Sequence, residues 1–154
     1  MYLMRFDLRS PGRDATERAA LYRTAIDMAE WVDERGCTGV VLSEHHATDD
    51  GYLSSPLTLA AAMAAVTSTV PIAVAATLLP LHDPVRLAEE IIALDHISNG
   101  RVMVVLGLGY RPEEYALHGV DWSRRGAIAD EKLARLIDLL GEALRSIRQG
   151  SDPR

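Results

Sequence analysis

The sequence has 154 residues, 48% of them hydrophobic and 25% charged, with a formal net charge of −6. That length and balance suit one water-soluble globular domain with a core of its own. The acidic charge without any Lys/Arg cluster excludes a nucleic-acid footprint, and the longest apolar stretch, Leu57 to Val66, is too short for a bilayer.

The N-terminal MYLMRFDLRS has no apolar run followed by a small-residue cleavage site, so a cytoplasmic protein is expected. Loose alternation from Tyr2 to Leu8 predicts a first strand, closed by the turn residues Ser10-Pro11-Gly12. From Ala15 to Arg35, Tyr22, Ala25, Ile26, Ala29 and Val32 recur at helical spacing, with Gly36 placed to end the helix. The lone Cys37 excludes an intramolecular disulfide and reads as a small buried hydrophobe. Val40-Val41-Leu42 is a β-branched run of the kind buried on both faces. Ser55-Pro56 reads as an N-cap and first helical position for an alanine-rich helix to about Thr67.

Pro71 to Leu79 is the third strand, and Asp83-Pro84 opens a helix that Ser98-Asn99-Gly100 closes. Arg101 to Leu106 is the fourth strand, followed by a short helical turn from Pro112 to Leu117. The last helix runs from about Arg125 to Arg148, with Leu133, Leu136, Ile137, Leu140, Leu144 and Ile147 on one face. A single unit over residues 1–150 is expected, with a flexible tail over 151–154.

Strand and helix alternate four times. The fold class is therefore α/β with a parallel sheet, because parallel crossovers need covering helices. A doubly wound sheet usually carries phosphate-binding glycines after its first strand, where this chain has Ser10-Pro11-Gly12. The later Gly107-Leu108-Gly109 lacks the third glycine of a dinucleotide fingerprint, since Pro112 stands in its place. A (β/α) barrel fits at least as well, and the first four β/α units are half of such a TIM barrel.

Either architecture puts its active site at the C-terminal strand ends. Those ends are Asp7 to Ser10, Glu44-His45-His46, Ala75-Ala76-Thr77 and Gly107-Leu108-Gly109-Tyr110-Arg111. Imidazole titrates near neutrality, so His45 and His46 suit proton transfer or charge stabilisation. Backbone hydrogen bonding in a loop is the competing reading. No metal site is expected, because adjacent strand-end residues diverge and no partner ligands appear at metal spacing, His82 and His96 lying elsewhere. Glu89 and Glu90 with Arg86 read as a solvated helix face, and Asp49-Asp50 as turn chemistry. Gly107 and Gly109 fit either a ligand's close approach or a tight turn.

Several segments together carry a resemblance. They are Leu42-Ser43-Glu44-His45-His46, Ser54-Ser55-Pro56, Leu79 to Glu90, Leu94 to Arg101, Gly107 to Tyr115 and His118 to Asp121. In order and spacing, over nearly the whole chain, they resemble the N-terminal half of the luciferase-like flavin-dependent monooxygenase family, which includes bacterial luciferase and deazaflavin-using relatives. The resemblance implies a (β/α)₈ barrel that binds reduced flavin, FMN or a deazaflavin, at its mouth and oxidises a small organic substrate with O2. It places His45 as the residue that gives or takes the proton an oxygen intermediate needs, with Glu44 and His46 in support. It places Ala75, Ala76 and Thr77 beside the flavin ring, with a non-proline cis peptide between the alanines, and Gly107, Leu108, Gly109 and Tyr110 at a turn near the flavin. Leu108 stands where luciferase has an arginine for the flavin phosphate, which leaves FMN and deazaflavin both open. The resemblance also implies a homodimer through the second and third helices.

The family's fifth to eighth strands are expected beyond Arg154. A truncated product, a barrel completed by two copies and a degenerate relative are all compatible with that ending. The expected activity is a flavin-dependent monooxygenase. The alternatives are a non-catalytic flavin-binding or interaction module and a deazaflavin-dependent dehydrogenase or reductase.

Overall fold

A computed structural model describes residues 2–150, with side chains as far as Glu142. Leu144 and Ile147 of the expected apolar stripe, and the tail 151–154, lie outside those described. Four parallel strands form one sheet in the order β1 (Leu3–Phe6), β2 (Gly39–Leu42), β3 (Ile72–Leu78), β4 (Val102–Gly107). The connecting helices are α1 (Ala15–Asp33), α2 (Pro56–Val66) and α3 (Pro84–Ser98). A 3-10 turn, Leu79–Leu81, precedes α3, while α4 (Pro112–Leu117), a second 3-10 turn and α5 (Arg125–Gly150) follow β4.

Period-two alternation decides what each strand buries. Val40, Leu42, Ile72 and Val74 are fully buried against the helices, in register with Met4, Phe6, Val102 and Val104. The opposite face carries Leu3, Arg5, Val41, Ala73, Met103 and Val105. Leu3, Met103 and Val105 are 62%, 59% and 40% exposed, so the expectation of strands buried on both faces holds only toward the helices. That second face is the one a closed barrel turns inward. The stripe on α5 divides in the same way, with Leu136 buried and Leu133 and Ile137 exposed.

Helix starts are chemically defined. Asp14 and Glu17 form a reciprocal capping box at α1, and Asp83 accepts the N–H groups of Val85 and Arg86 at α3. Ser55 makes no side-chain cap bond, so the start of α2 rests on Pro56 rather than on the expected serine cap. β1 is shorter than its alternation suggests because Leu8 adopts φ 56°, turning the chain away from the sheet.

Two polar clamps tie the strand N-terminal side together. Arg101 donates to the carbonyls of Ala64, Thr67, Val70 and Ser98 and to Thr67 Oγ1, capping the end of α2. Asp33, at the end of α1, accepts the N–H groups of Ser68, Thr69 and Val70 and the Thr69 hydroxyl. Burial pushes its carboxyl up, but these hydrogen bonds outweigh that and hold its pKa at about 2.

Candidate active site

The strand-to-loop transition after β2 sorts its polar residues by the same alternation. Ser43 and His45 follow Val41 onto the open face, while Glu44 follows Leu42 into the interior and is 1% exposed. Glu44 Oε1 accepts from His46 Nε2 at 2.7 Å and from His82 Nε2 at 2.8 Å, and its Oε2 accepts the Leu78 N–H at 3.0 Å. Burial pushes the Glu44 carboxyl up, yet the two imidazole hydrogen bonds, the His82 charge and the Leu78 N–H overcome it. The net pKa is about 2, so this carboxylate stays ionised. A carboxylate only accepts, so both imidazoles present Nε2–H to it. His82, expected to lie apart, is therefore joined to the second strand's end through Glu44. Lys132 of α5 fixes the neighbouring turn by donating to the carbonyls of Pro80 and His82, at 2.7 Å each. Desolvation lowers its ammonium pKa.

His45 belongs to a different carboxylate. Its Nδ1 lies 2.9 Å from Glu114 Oε1, which also accepts the His46 backbone N–H at 2.8 Å. Glu114 sits in α4 and its side chain is 0% exposed. Among the described residues its second oxygen is buried without a hydrogen-bond partner. The acceptor-only carboxylate makes Nδ1 the protonated nitrogen of neutral His45, leaving Nε2 with a lone pair. The imidazole is held edge-on between Tyr52 and Tyr110, at centroid distances of 4.7 and 5.3 Å. Tyr52 reaches it because the loop after β2 folds back over β1, Leu53 N–H bonding to Asp7 O and His45 N–H to Leu53 O.

The Ala75–Ala76 peptide bond is cis, as the resemblance implies, and the β3–β4 register shifts between Ala75 and Thr77. A Cβ on Gly107 would stand 2.9 Å from Ala76 Cβ, so glycine there answers a close strand approach. Gly109 has φ 76° and lies over Leu78 and Glu114. The loop it belongs to is pinned by the Tyr115 hydroxyl, which donates to Leu108 O, and burial raises that phenol's pKa.

Of the residues singled out in the sequence, Glu44, His45, Ala75, Ala76, Leu108, Gly109 and Tyr110 converge on one hollow of about 440 Å³. Gly107 and Thr77 do not line it: Gly107 borders a different hollow beside α5, and Thr77 is fully buried, its hydroxyl unpartnered among the described residues. His46 faces the other way, toward a second hollow at the starts of α2 and α3 that His82 and Arg86 also line. It packs edge-on against His118, whose pKa burial lowers, the charges of His46 and His82 adding to the effect. Among the described residues no His, Cys, Asp and Glu cluster has the arrangement to hold a metal ion. None of their helices is long and apolar enough to cross a membrane.

Sequence reasoning missed the contacts that Glu114 and Tyr52 make with His45. Glu114 lies three residues past the strand-end segment Gly107 to Arg111. Its partners are 68 and 69 positions away, a pairing that no local spacing reveals.

Comparison with known proteins agrees with this fold. The luciferase-like monooxygenase family model matches residues 4–148. 4-Hydroxyprotoasukamycin monooxygenase of Streptomyces nodosus subsp. asukaensis is 31% identical over 96 residues, covering 62% of this chain and 26% of that protein. The monooxygenase RslO1 from Streptomyces bottropensis superposes with a TM-score of 0.79 at 28% identity, over 88% of this chain and 42% of that one. The oxygenating constituent of 3,6-diketocamphane monooxygenase from Pseudomonas putida, solved in complex with FMN, gives the same TM-score and identity, over 88% and 37%. The chain thus spans about a third or less of the curated relatives it matches and under half of these solved chains. The family match over residues 4–148, on a parallel sheet in the order β1-β2-β3-β4, places this chain in the luciferase-like monooxygenase family.

Proposed function

We propose that this chain supplies the cofactor- and substrate-facing part of a flavin-dependent monooxygenase that uses reduced FMN and O2 on a small organic substrate. The observation that carries the reading is the His45–Glu114 pair beside the hollow floored by Ala75, Ala76, Leu108 and Gly109. These small and apolar residues fit the flat face of an isoalloxazine ring, and the volume suits a ligand pocket. Ala75, Ala76, Leu108 and Gly109 would hold the ring; the reduced flavin supplies the electrons that activate dioxygen.

The protein's own part is proton control. Glu114 keeps Nδ1 of His45 protonated, so neutral His45 accepts a proton at Nε2 and its imidazolium returns one there. The buried carboxylate stabilises that imidazolium and keeps the ring from turning. Tyr52 and Tyr110 shield the imidazole's sides from water. Glu44, held by His46, His82 and Leu78, fixes the backbone from which His45 projects, which supports the positioning role given to it here.

FMN is favoured by the similarity to the diketocamphane enzyme, and a deazaflavin by Leu108, an apolar and 42% exposed side chain that offers no charge to a phosphate. Titrations of the chain with FMN and with a deazaflavin, read by quenching of cofactor fluorescence, test the function and choose between the two. Saturable quenching with FMN supports the reading, quenching with the deazaflavin alone replaces it with a deazaflavin-dependent dehydrogenase or reductase, and none with either overturns it in favour of a non-catalytic interaction module. We also infer a homodimer through α2 and α3, because the alanine-rich α2 permits close helix approach. A monomeric solution mass with and without FMN would rule that out.

A further inference from the structure

The mouth of the sheet has two lobes that share a seam. One is the hollow floored by Ala75, Ala76 and Leu108; the other, about 560 Å³, is lined by polar groups that include Thr48, Asp50 and Tyr52. Arg5, His45 and Tyr110 line both. A flat ring occupying the apolar lobe leaves the polar one for a second molecule, and whatever reaches His45 from there passes Arg5.

Arg5 is the cation at this seam without an anionic partner. It stands on the open face in register with Val41. Its guanidinium Nη2 meets two neutral hydroxyls, Ser43 Oγ at 3.2 Å and Tyr52 at 3.5 Å, which also bond each other at 2.6 Å. Among the described residues no carboxylate lies within ion-pair distance of it, whereas Arg9 binds Asp7 through Nε at 2.9 Å and Nη2 at 2.6 Å. Asp7 feels the charge of Arg5 but spends both oxygens on Arg9, one on its side chain and one on its backbone N–H. Asp50, the other acid of the polar lobe, accepts from the Tyr52 N–H. Glu44 borders the apolar lobe but is buried and saturated. A planar guanidinium held by hydroxyls, with donors unspent, has the geometry that recognises a carboxylate by two parallel hydrogen bonds.

We propose that Arg5, seated by Ser43 and Tyr52, binds a carboxylate of the small-molecule substrate and sets it beside His45. This makes the substrate a carboxylic acid with its carboxylate anchored in the polar lobe, and it rests on the monooxygenase reading of the same site. Arg5 is then a specificity residue and carries no proton in the reaction.

The test uses benzoate as the anionic probe and benzamide as its neutral match, titrated into the isotope-labelled chain while the Arg5 Nε–H and His45 resonances are followed. Benzoate is expected to shift both saturably, with benzamide at least tenfold weaker. Arg5→Met should lose benzoate affinity tenfold or more, Arg5→Lys should fall between, and Arg13→Met, at a remote surface pair, should bind as the parent does. FMN fluorescence is measured on the same samples. Arg5→Met that loses benzoate yet retains FMN quenching supports the proposal, whereas loss of both makes Arg5 a flavin contact and overturns it. Equal affinity for benzoate and benzamide, or unchanged benzoate binding in Arg5→Met, also overturns it. Benzoate binding at Arg5 in a chain that never quenches FMN would sink the monooxygenase reading and leave the carboxylate site standing.

Discussion

Glu114→Gln isolates the charge of the carboxylate that governs His45. Both hydrogen bonds at this side chain fall on one oxygen, from His45 Nδ1 at 2.9 Å and the His46 N–H at 2.8 Å, while the other oxygen has no partner. A glutamine can keep its carbonyl where Oε1 is and put its amide group at the unpartnered position, so shape and both bonds survive. The negative charge disappears, and the amide brings N–H donors to that buried position. A hydrogen bond to a charged partner contributes about 1.5–3 kcal/mol, against ~0.5–1.5 for a neutral one. The imidazolium form of His45 should therefore lose roughly 1–2 kcal/mol of support, which is about a five- to thirty-fold fall in a rate limited by proton transfer. Turnover and flavin affinity should separate, because Glu114 does not line the hollow proposed for the flavin. Nitrogen chemical shifts of His45 report the tautomer directly. A Glu114→Gln protein with kcat within twofold of the parent, and His45 still protonated at Nδ1 to the same extent, would refute the assignment. Glu114→Ala is the poorer test, since it leaves two buried donors unsatisfied at about 1–3 kcal/mol each and risks the fold.

Other perturbations reach different parts of the structure. Gly107→Ala places a Cβ 2.9 Å from Ala76 Cβ, where no flexible side-chain end can yield. It should cost about 1–3 kcal/mol in urea unfolding, and an unchanged midpoint would contradict the close strand approach. Arg101→Met strips charged donors from the carbonyls of Ala64, Thr67 and Val70. A loss of roughly 2–5 kcal/mol is expected, and a loss below 1 would show that water replaces the clamp. Acid should destabilise the fold through Asp33 and Glu44, both held at about 2 from ordinary values of 3.8 and 4.5. Their folded pKa values are depressed, so their contribution is complete above pH 4.5 and is lost as pH falls from there through 2. Asp33→Asn should flatten the stability profile over that window, and a profile as steep as the parent's would show that Asp33 is not a source of it.

The alternation of buried strands with helices, the proline-led helix starts at Pro56 and Pro84, and the glycines after the fourth strand are all local. Each follows from the period of side chains or the geometry of one residue, so the parallel α/β plan could be read directly from the chain. Local reading erred where tertiary contacts decide. Val41 looked like a core residue beside Val40 and Leu42, yet its side chain points to the face without helices. Ser55 had the chemistry of a cap and makes no cap bond.

The sequence by itself determined that Glu44, His45 and His46 end a buried strand, because β-branched runs and turn residues act over a few positions. Only the tertiary structure decided that these neighbours part company. His45 answers to Glu114, His46 and His82 share Glu44, and Arg5 meets no carboxylate among the described residues at the seam of two lobes. Strand alternation sends adjacent residues to opposite faces, and carboxylates 69 and 38 positions away then fix the proton on His45 and on His82. Distance along the chain carries no trace of that pairing until the sheet is formed.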